Sequence, residues 1–236
     1  MTSSKKRFTV YSTVSGGLPL NDISKVTASN DLNISTKDWL PMCASAYHIS
    51  PSISDYIIIP VTIFPSDLPN RNCIGFSYND LTEFDTDTGR LAYQSWIGKG
   101  LFSEHQNEDV TRSRGVILDS VMHKVAEDSP HWCVTLLTAW DRTKDPIIAN
   151  SLLTNPNSCF SMGCYTADYE CSYCHKLYST GGCGHVDPHN PQMTLKDGTL
   201  IYLLAKGITG FELSHVKTPA FVDAITPRNQ VVKLWD

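Results

Sequence analysis

The chain of 236 residues lacks any long apolar run. Its longest, Tyr56 to Val61, is interrupted by Pro60 and falls far short of the ~20 residues that cross a bilayer. Lys5, Lys6 and Arg7 form a short basic patch, but no apolar stretch of signal-peptide length follows it. These two absences predict a soluble protein of a reducing compartment, with no membrane partner. An excess of positive charge is missing as well. The formal net charge of -5 argues against a protein that holds nucleic acid mainly through phosphate contacts. There is no internal repeat and no low-complexity tract, which removes solenoids and disordered tails from consideration. What remains is ordinary for a globular protein, at 41% hydrophobic and 18% charged residues, and long enough to bury one good core.

Helical periodicity is scarce, and strand signals dominate. Residues 1–50 read as an irregular Ser/Thr/Asn-rich segment, with a strand at 7–14. The β-branched run over 55–64 predicts a buried strand, with Pro60 marking an edge or a bulge. Further strands are predicted at 73–78, 91–97, 115–125, 132–140, 158–166, 199–205 and 211–216. The part of 115–125 from Ser120 onward is the stretch most easily lost to helix. One helix is firm: Asp145 supplies an N-cap, Pro146 fits the first helical position, and Ile147, Ile148, Ser151 and Leu152 follow at helical spacing. A short last helix is predicted at 220–225. The reading is an α+β, mainly β domain over 51–226, interrupted by a loop insertion at 167–193 and followed by a tail at 227–236.

Eight cysteines would suit a disulfide scaffold only in a short secreted chain. Cys43, Cys73, Cys133 and Cys159 lie singly in apolar or mixed segments and read as core thiols. The rest crowd between Cys164 and Cys183. Cys171 and Cys174 form a Cys-x2-Cys knuckle, and Cys183 and His185 a Cys-x-His pair. Zinc prefers four tetrahedral ligands of this kind, so these four residues predict a structural Zn2+ with no open position. Gly181, Gly182 and Gly184 allow the second half to fold tightly. The insertion has few apolar residues, so the metal is expected to supply its order. Cys164, His175 and His189 are spare ligands that could replace one of the four. A redox Cys-x2-Cys is the competing reading, but it leaves Cys183 and His185 without a role.

Ser161, in Phe160-Ser161-Met162-Gly163, is a nucleophile only if a base and oxyanion donors accompany it. Taken alone it is an ordinary structural serine. Taken alone, His105 in its polar stretch is a surface histidine, and Glu212 is an exposed strand carboxylate or a salt-bridge partner. Cys159 shares the strand face of Ser161 by alternation and is the second candidate nucleophile. His48, His123 and His131 have no evident chemical partners.

The order of these segments resembles the prohead (capsid-maturation) proteases of tailed phages, relatives of herpesvirus assemblin. The resemblance rests on Pro69-Asn70-Arg71-Asn72 before a strand, His105 followed by Gly115-Val116-Ile117, Ser161-Met162-Gly163, and Glu212, Ser214, Pro219 and Ala220 in a closing segment. It covers about residues 55–225. The cysteine insertion departs from the minimal pattern and resembles a knuckle in variants of the family from larger phages. The resemblance implies a small assemblin-like β-barrel with surrounding helices and a zinc-binding loop beside the active site. It implies a serine endopeptidase with Ser161 as nucleophile, His105 as general base and Glu212 as the residue that orients the imidazole. His215 is the alternative third member. Implied substrates are scaffold, major capsid and other prohead proteins, and the enzyme itself, cut inside the prohead in the host cytoplasm. A homo-oligomer fits this setting. The other readings are a catalytically silent virion protein on the same fold and, against the charge balance, a zinc-ribbon nucleic-acid binder.

Overall fold

The computed structural model describes residues 8–12, 36–86, 88–155, 158–187, 194–217 and 232–233. In chain order its elements begin with β1 (Phe8–Ser12), α1 (Thr36–Tyr47), β2 (Tyr56–Pro65), β3 (Ile74–Gly75), α2 (Tyr78–Leu81), β4 (Phe84–Asp85) and β5 (Arg90–Leu91). There follow β6 (Gly100–Ser103), β7 (Gly115–Lys124), β8 (Trp132–Asp141), α3 (Pro146–Thr154), β9 (Cys159–Thr166) and β10 (Asp168–Cys171). The last are β11 (Thr194–Lys196), β12 (Thr199–Ile201), β13 (Leu203–Lys206), β14 (Thr209–Val216) and β15 (Val232–Lys233).

Eight strands form one sheet in the order β1-β9-β14-β6-β7-β8-β2-β15, which curls into a half-barrel. Every pairing in it is antiparallel except β14 with β6. The protein is mainly β, as the strand signals predict. Among the described residues no helix is long and apolar enough to cross a membrane.

β2 shows why its sequence is a continuous apolar run rather than an alternating one. Ile57, Ile59, Val61 and Ile63 enter the main core with Leu136 and Trp140. Tyr56 and Ile58 enter a second cluster on the opposite face, with Leu40 and Ala44 of α1. A strand covered on both faces has no polar side to show. Among the described residues Pro60 pairs with β8 alone, β15 meeting Ile57 and Ile58, and a bulge lies between Thr62 and Phe64. Of the two predicted alternatives the bulge is present, two residues past Pro60, whereas β2 lies between β8 and β15 and is not an edge strand. The capped helix is also in place: the Asp145 carboxylate accepts from Ile148 N at 3.0 Å, ahead of Pro146.

Elsewhere the sequence reading needs correction. Residues 36–47 are helix α1, not irregular chain. Leu40, Cys43, Ala44 and Tyr47 recur at helical spacing on its covered face, and Pro41, which reads as a breaker, is accommodated on the exposed side. The strand predicted at 73–78 shrinks to β3, because the Ser77 hydroxyl caps α2 by accepting from Asp80 N at 3.1 Å. The strand predicted at 91–97 is a 3-10 turn over Ala92–Gln94. There the Gln94 side chain accepts from Leu91 N at 3.2 Å and Ser95 Oγ donates to Ala92 O at 2.6 Å, so local side chains satisfy the backbone that a ladder would otherwise use. β6, a central strand, is too short for periodicity to reveal. Ser120 onward stays in strand β7. The predicted helix at 220–225, with Pro219 and Ala220, lies outside the described residues, as does the tail apart from β15.

β9–β10 and β13–β14 form a long two-stranded ribbon. β9 pairs with β14 and β10 with β13, and the bend falls at Ala167 and Gly207. Gly207 has φ 59°, and a Cβ there would stand 2.7 Å from the Ala167 Cβ. The predicted loop at 167–193 therefore starts as strand. Tyr169, Cys171 and Val186 anchor it in the main core, so the metal is not its sole source of order.

Gly115 sits where β7 meets both β6 and β8, and a Cβ built on it would lie 2.0 Å from the Ala139 carbonyl oxygen. Backbone in a central pairing cannot move aside. Gly115→Ala should cost about 1–3 kcal/mol or more, read as a lowered denaturation midpoint with unchanged slope.

Candidate active site and metal centre

Ser161 lies on β9 opposite Ser214 of β14, and Gly163 lies opposite Glu212. Partners in register share a face, so Ser161, Gly163, Glu212 and Ser214 all face the same side of the sheet. On β6, Gly100 is in register with Glu212. Glu212 thus has a glycine on each neighbouring strand. The room is needed: a Cβ on Gly163 would meet Glu212 Oε1 at 2.7 Å and the Phe211 ring at 2.6 Å. The glycine of the Ser-Met-Gly motif makes space for a carboxylate 49 residues later in the chain.

A bulge between Gly210 and Glu212 sets which β14 residues face this side. It is pinned from the 3-10 turn. Gly210 N donates to Ser95 Oγ at 2.6 Å, and Trp96 packs against Gly210 while its Nε1 donates to Gly163 O at 3.1 Å.

His105 reaches the same place from the end of β6. Glu104 and His105 both have positive φ, 48° and 58°. Two consecutive non-glycine residues in this region are uncommon and are held only by surrounding contacts. Here Glu104 N donates to His215 O at 3.0 Å, and His105 N donates to Ser214 Oγ at 3.2 Å. The turn brings His105 Nδ1 within 2.9 Å of Glu212 Oε1. Ser214 Oγ donates to the other carboxylate oxygen at 2.6 Å. Of the two readings Glu212 has when taken alone, exposed strand carboxylate or salt-bridge partner, the structure shows the second: it is fully buried against His105, whose side chain keeps 26% exposure. Ser214 belongs to the closing segment of the resemblance, but sequence reasoning assigns it no role in the site; its position two after Glu212 puts it on the same strand face.

Ser161 is 2% exposed. Among the described residues its hydroxyl makes no hydrogen bond to the imidazole, whose Nδ1 is engaged by Glu212. His215 is one position out of phase and faces the other side of the sheet, edge-on to Phe160 with ring centroids 5.8 Å apart. Burial pushes its pKa down. The structure therefore brings Glu212, and not His215, to His105. Burial raises the pKa of the Cys159 thiol, and burial next to Glu212 raises that of Cys164, which opposes thiolate formation at both.

Cys171, Cys174, Cys183 and His185 come together, with one ligand atom from each within 4.8 Å of all the others. This set can hold a metal ion. Cys171 Sγ and His185 Nδ1 are 3.9 Å apart. Burial raises Cys183, but donors around it, first the His185 backbone N–H, outweigh that and bring it down to about 6. Ser172 ties the knuckle to the strand region, donating from N to Tyr202 O at 2.9 Å and accepting from Tyr202 N at 3.0 Å. Of the spare ligands, His175 is taken by Glu170 at 2.7 Å, Cys164 is buried in the main core, and His189 lies outside the described residues. Cys171 is ten residues beyond Ser161 along the ribbon, with the bend at Ala167 between them.

Metal analysis of the purified chain should find about one ion per chain, and Cys174→Ser together with Cys183→Ser should abolish it. Metal-free protein with native protease resistance over 171–187 would refute the site.

No protein family model matches this chain, and neither a curated protein nor a solved structure matches it.

Proposed function

We propose that the protein is a serine endopeptidase with Ser161 as nucleophile, His105 as general base and Glu212 as the orienting carboxylate. The observation that carries this reading is the 2.9 Å bond from His105 Nδ1 to a fully buried Glu212, on the sheet face that Ser161 shares. A buried carboxylate on Nδ1 fixes the tautomer in which the lone pair that accepts a proton lies on Nε2. In the first half-reaction Ser161 Oγ attacks the peptide carbonyl and its proton passes to Nε2. That proton then goes to the leaving amine, and an acyl-enzyme remains. In the second half-reaction water gives its proton to Nε2 and attacks the ester, and the proton returns to Ser161. The serine–imidazole contact closes on substrate binding, as such contacts often do. Oxyanion donors are not assigned.

The substrates and setting follow from the resemblance to prohead proteases. They are scaffold, capsid and other head proteins, and the chain itself, inside the assembling phage particle. The assemblin-like barrel belongs to the same proposal, supported by the curled, mainly β sheet. The ion at Cys171, Cys174, Cys183 and His185 is assigned as structural Zn2+, because three thiols and an imidazole suit zinc and leave no position for substrate. The near-complete burial of Ser161 favours one rival, a silent virion protein that retains the fold.

Ser161→Ala should lower peptide-bond hydrolysis by about 10³-fold or more, read by mass spectrometry of head proteins from wild-type and variant assemblies. Normal processing by the variant would overturn the mechanism, and no processing by either protein would favour the silent reading. Glu212→Gln should lower kcat by about 10²-fold or more while His215→Gln stays within a few-fold. The reverse order would move the orienting role to His215.

A further inference from the structure

Strand β9 carries Ser161 and has two edges. β14 fills one of them over residues 159–165. The other is held by β1, which runs antiparallel to β9 and pairs from Phe8 opposite Thr166 to Ser12 opposite Met162. Among the described residues β1 pairs with no other strand, so it closes the sheet at this end. Its pairing stops at Met162, one residue short of Ser161, and its chain runs toward the nucleophile. β1 also stands outside residues 55–225, the stretch that carries the resemblance to prohead proteases.

A strand on this edge lies one strand spacing, about 4.8 Å, from β9 and exchanges main-chain hydrogen bonds with it. A polypeptide laid there in the register of β1 brings one residue opposite Ser161, with the residues before it along 162–166. His105 approaches from the opposite edge, held by Ser214 and Glu212 of β14. An edge of this kind takes extended peptide through its main chain and so accepts many sequences. Its present occupant is displaceable. β1 has five residues and a neighbour on one side, and each ladder bond gains about what ordering one residue costs. Residues 13–35 connect it to α1, enough chain to span about 80 Å when extended. β1 can leave the edge while still attached, and it returns at the high local concentration of a tethered segment.

We propose that the outer edge of β9 is the docking site of the substrate polypeptide, and that β1 is its resident competitor, an N-terminal strand that substrate must displace. The use of this edge for substrate rests on the endopeptidase reading; its occupation by β1 does not. The consequence is a brake that substrate concentration overcomes. β1 raises KM and leaves kcat alone, because a substrate that has taken the edge meets the same Ser161, His105 and Glu212.

The test uses the full chain with Val10→Pro and Tyr11→Pro together. Proline has no N–H to donate, and two adjacent positions cover both phases of the ladder. In the first arm the proline chain and the chain with intact β1 both carry Ser161→Ala. Each binds a fluorescein-labelled peptide of residues 7–13, read by anisotropy. The proline chain should bind it about tenfold tighter, and a peptide bearing the same two prolines should not bind. Equal binding by the two chains, or binding of the proline peptide, overturns the proposal. In the second arm Ser161 is present and hydrolysis of the scaffold protein is titrated. The proline chain should show a KM about tenfold lower at unchanged kcat. An unchanged KM, or the lower kcat that a disturbed fold would give, overturns the proposal while the endopeptidase stands. The expected first-arm difference without hydrolysis by either chain upholds the occupied edge and overturns the endopeptidase reading.

Discussion

Glu212 is fully buried, and a carboxylate removed from water is tolerable only when its oxygens are hydrogen-bonded. His105 serves one oxygen and Ser214 the other. Much of the surrounding architecture follows from keeping that arrangement intact. Gly163 leaves the volume the side chain occupies. The β14 bulge aims it, and Ser95 and Trp96 hold the bulge. Ser214 does two tasks with one hydroxyl: it donates to the carboxylate and accepts the His105 main-chain N–H, so side chain and backbone of the histidine are positioned by adjacent residues of one strand.

The parts of this arrangement that were legible in the sequence are those governed by local chemistry. The Asp145-Pro146 helix start, the β-branched run of β2 and the Cys-x2-Cys with Cys-x-His spacing each announce themselves within a few residues. Two features were hidden by their own composition. α1 carries Pro41, and the 91–97 stretch is rich in residues that suit strands, yet polar side chains there close a turn. Others were hidden because they depend on pairing across the chain. Whether Glu212 or His215 faces His105 is decided by strand phase past a bulge, which no local pattern encodes. The αL turn at Glu104 and His105 involves no glycine or asparagine, so nothing in the residue types marks it.

The ribbon links two clusters of side chains. Its base contributes Ser161 and Glu212 to the large sheet, and its far end presents the thiols and His185. The far end is not held by ligands alone. β10 and β13 pair there, and Lys206 bridges Asp80 of α2 at 3.0 Å and Glu170 of β10 at 3.1 Å, tying the ribbon's outer half to the segment before β4. A metal at the tip would add to an ordered platform, consistent with a bracing role rather than a chemical one.

The parallel pairing of β14 with β6 has a consequence for how the chain is made. β6, β7, β8 and β2 are neighbours in one half of the sheet, β1 and β9 in the other, and only β14 joins them. Chains emerge from the ribosome N-terminus first. The nascent protein can thus build two incomplete half-sheets before residue 209 arrives, and His105 must wait for a partner 107 positions downstream. High sequence separation of this kind slows the final assembly step. It also means that the histidine meets its buried carboxylate only when the sheet is whole, so partly made chains leave that hydrogen bond unformed.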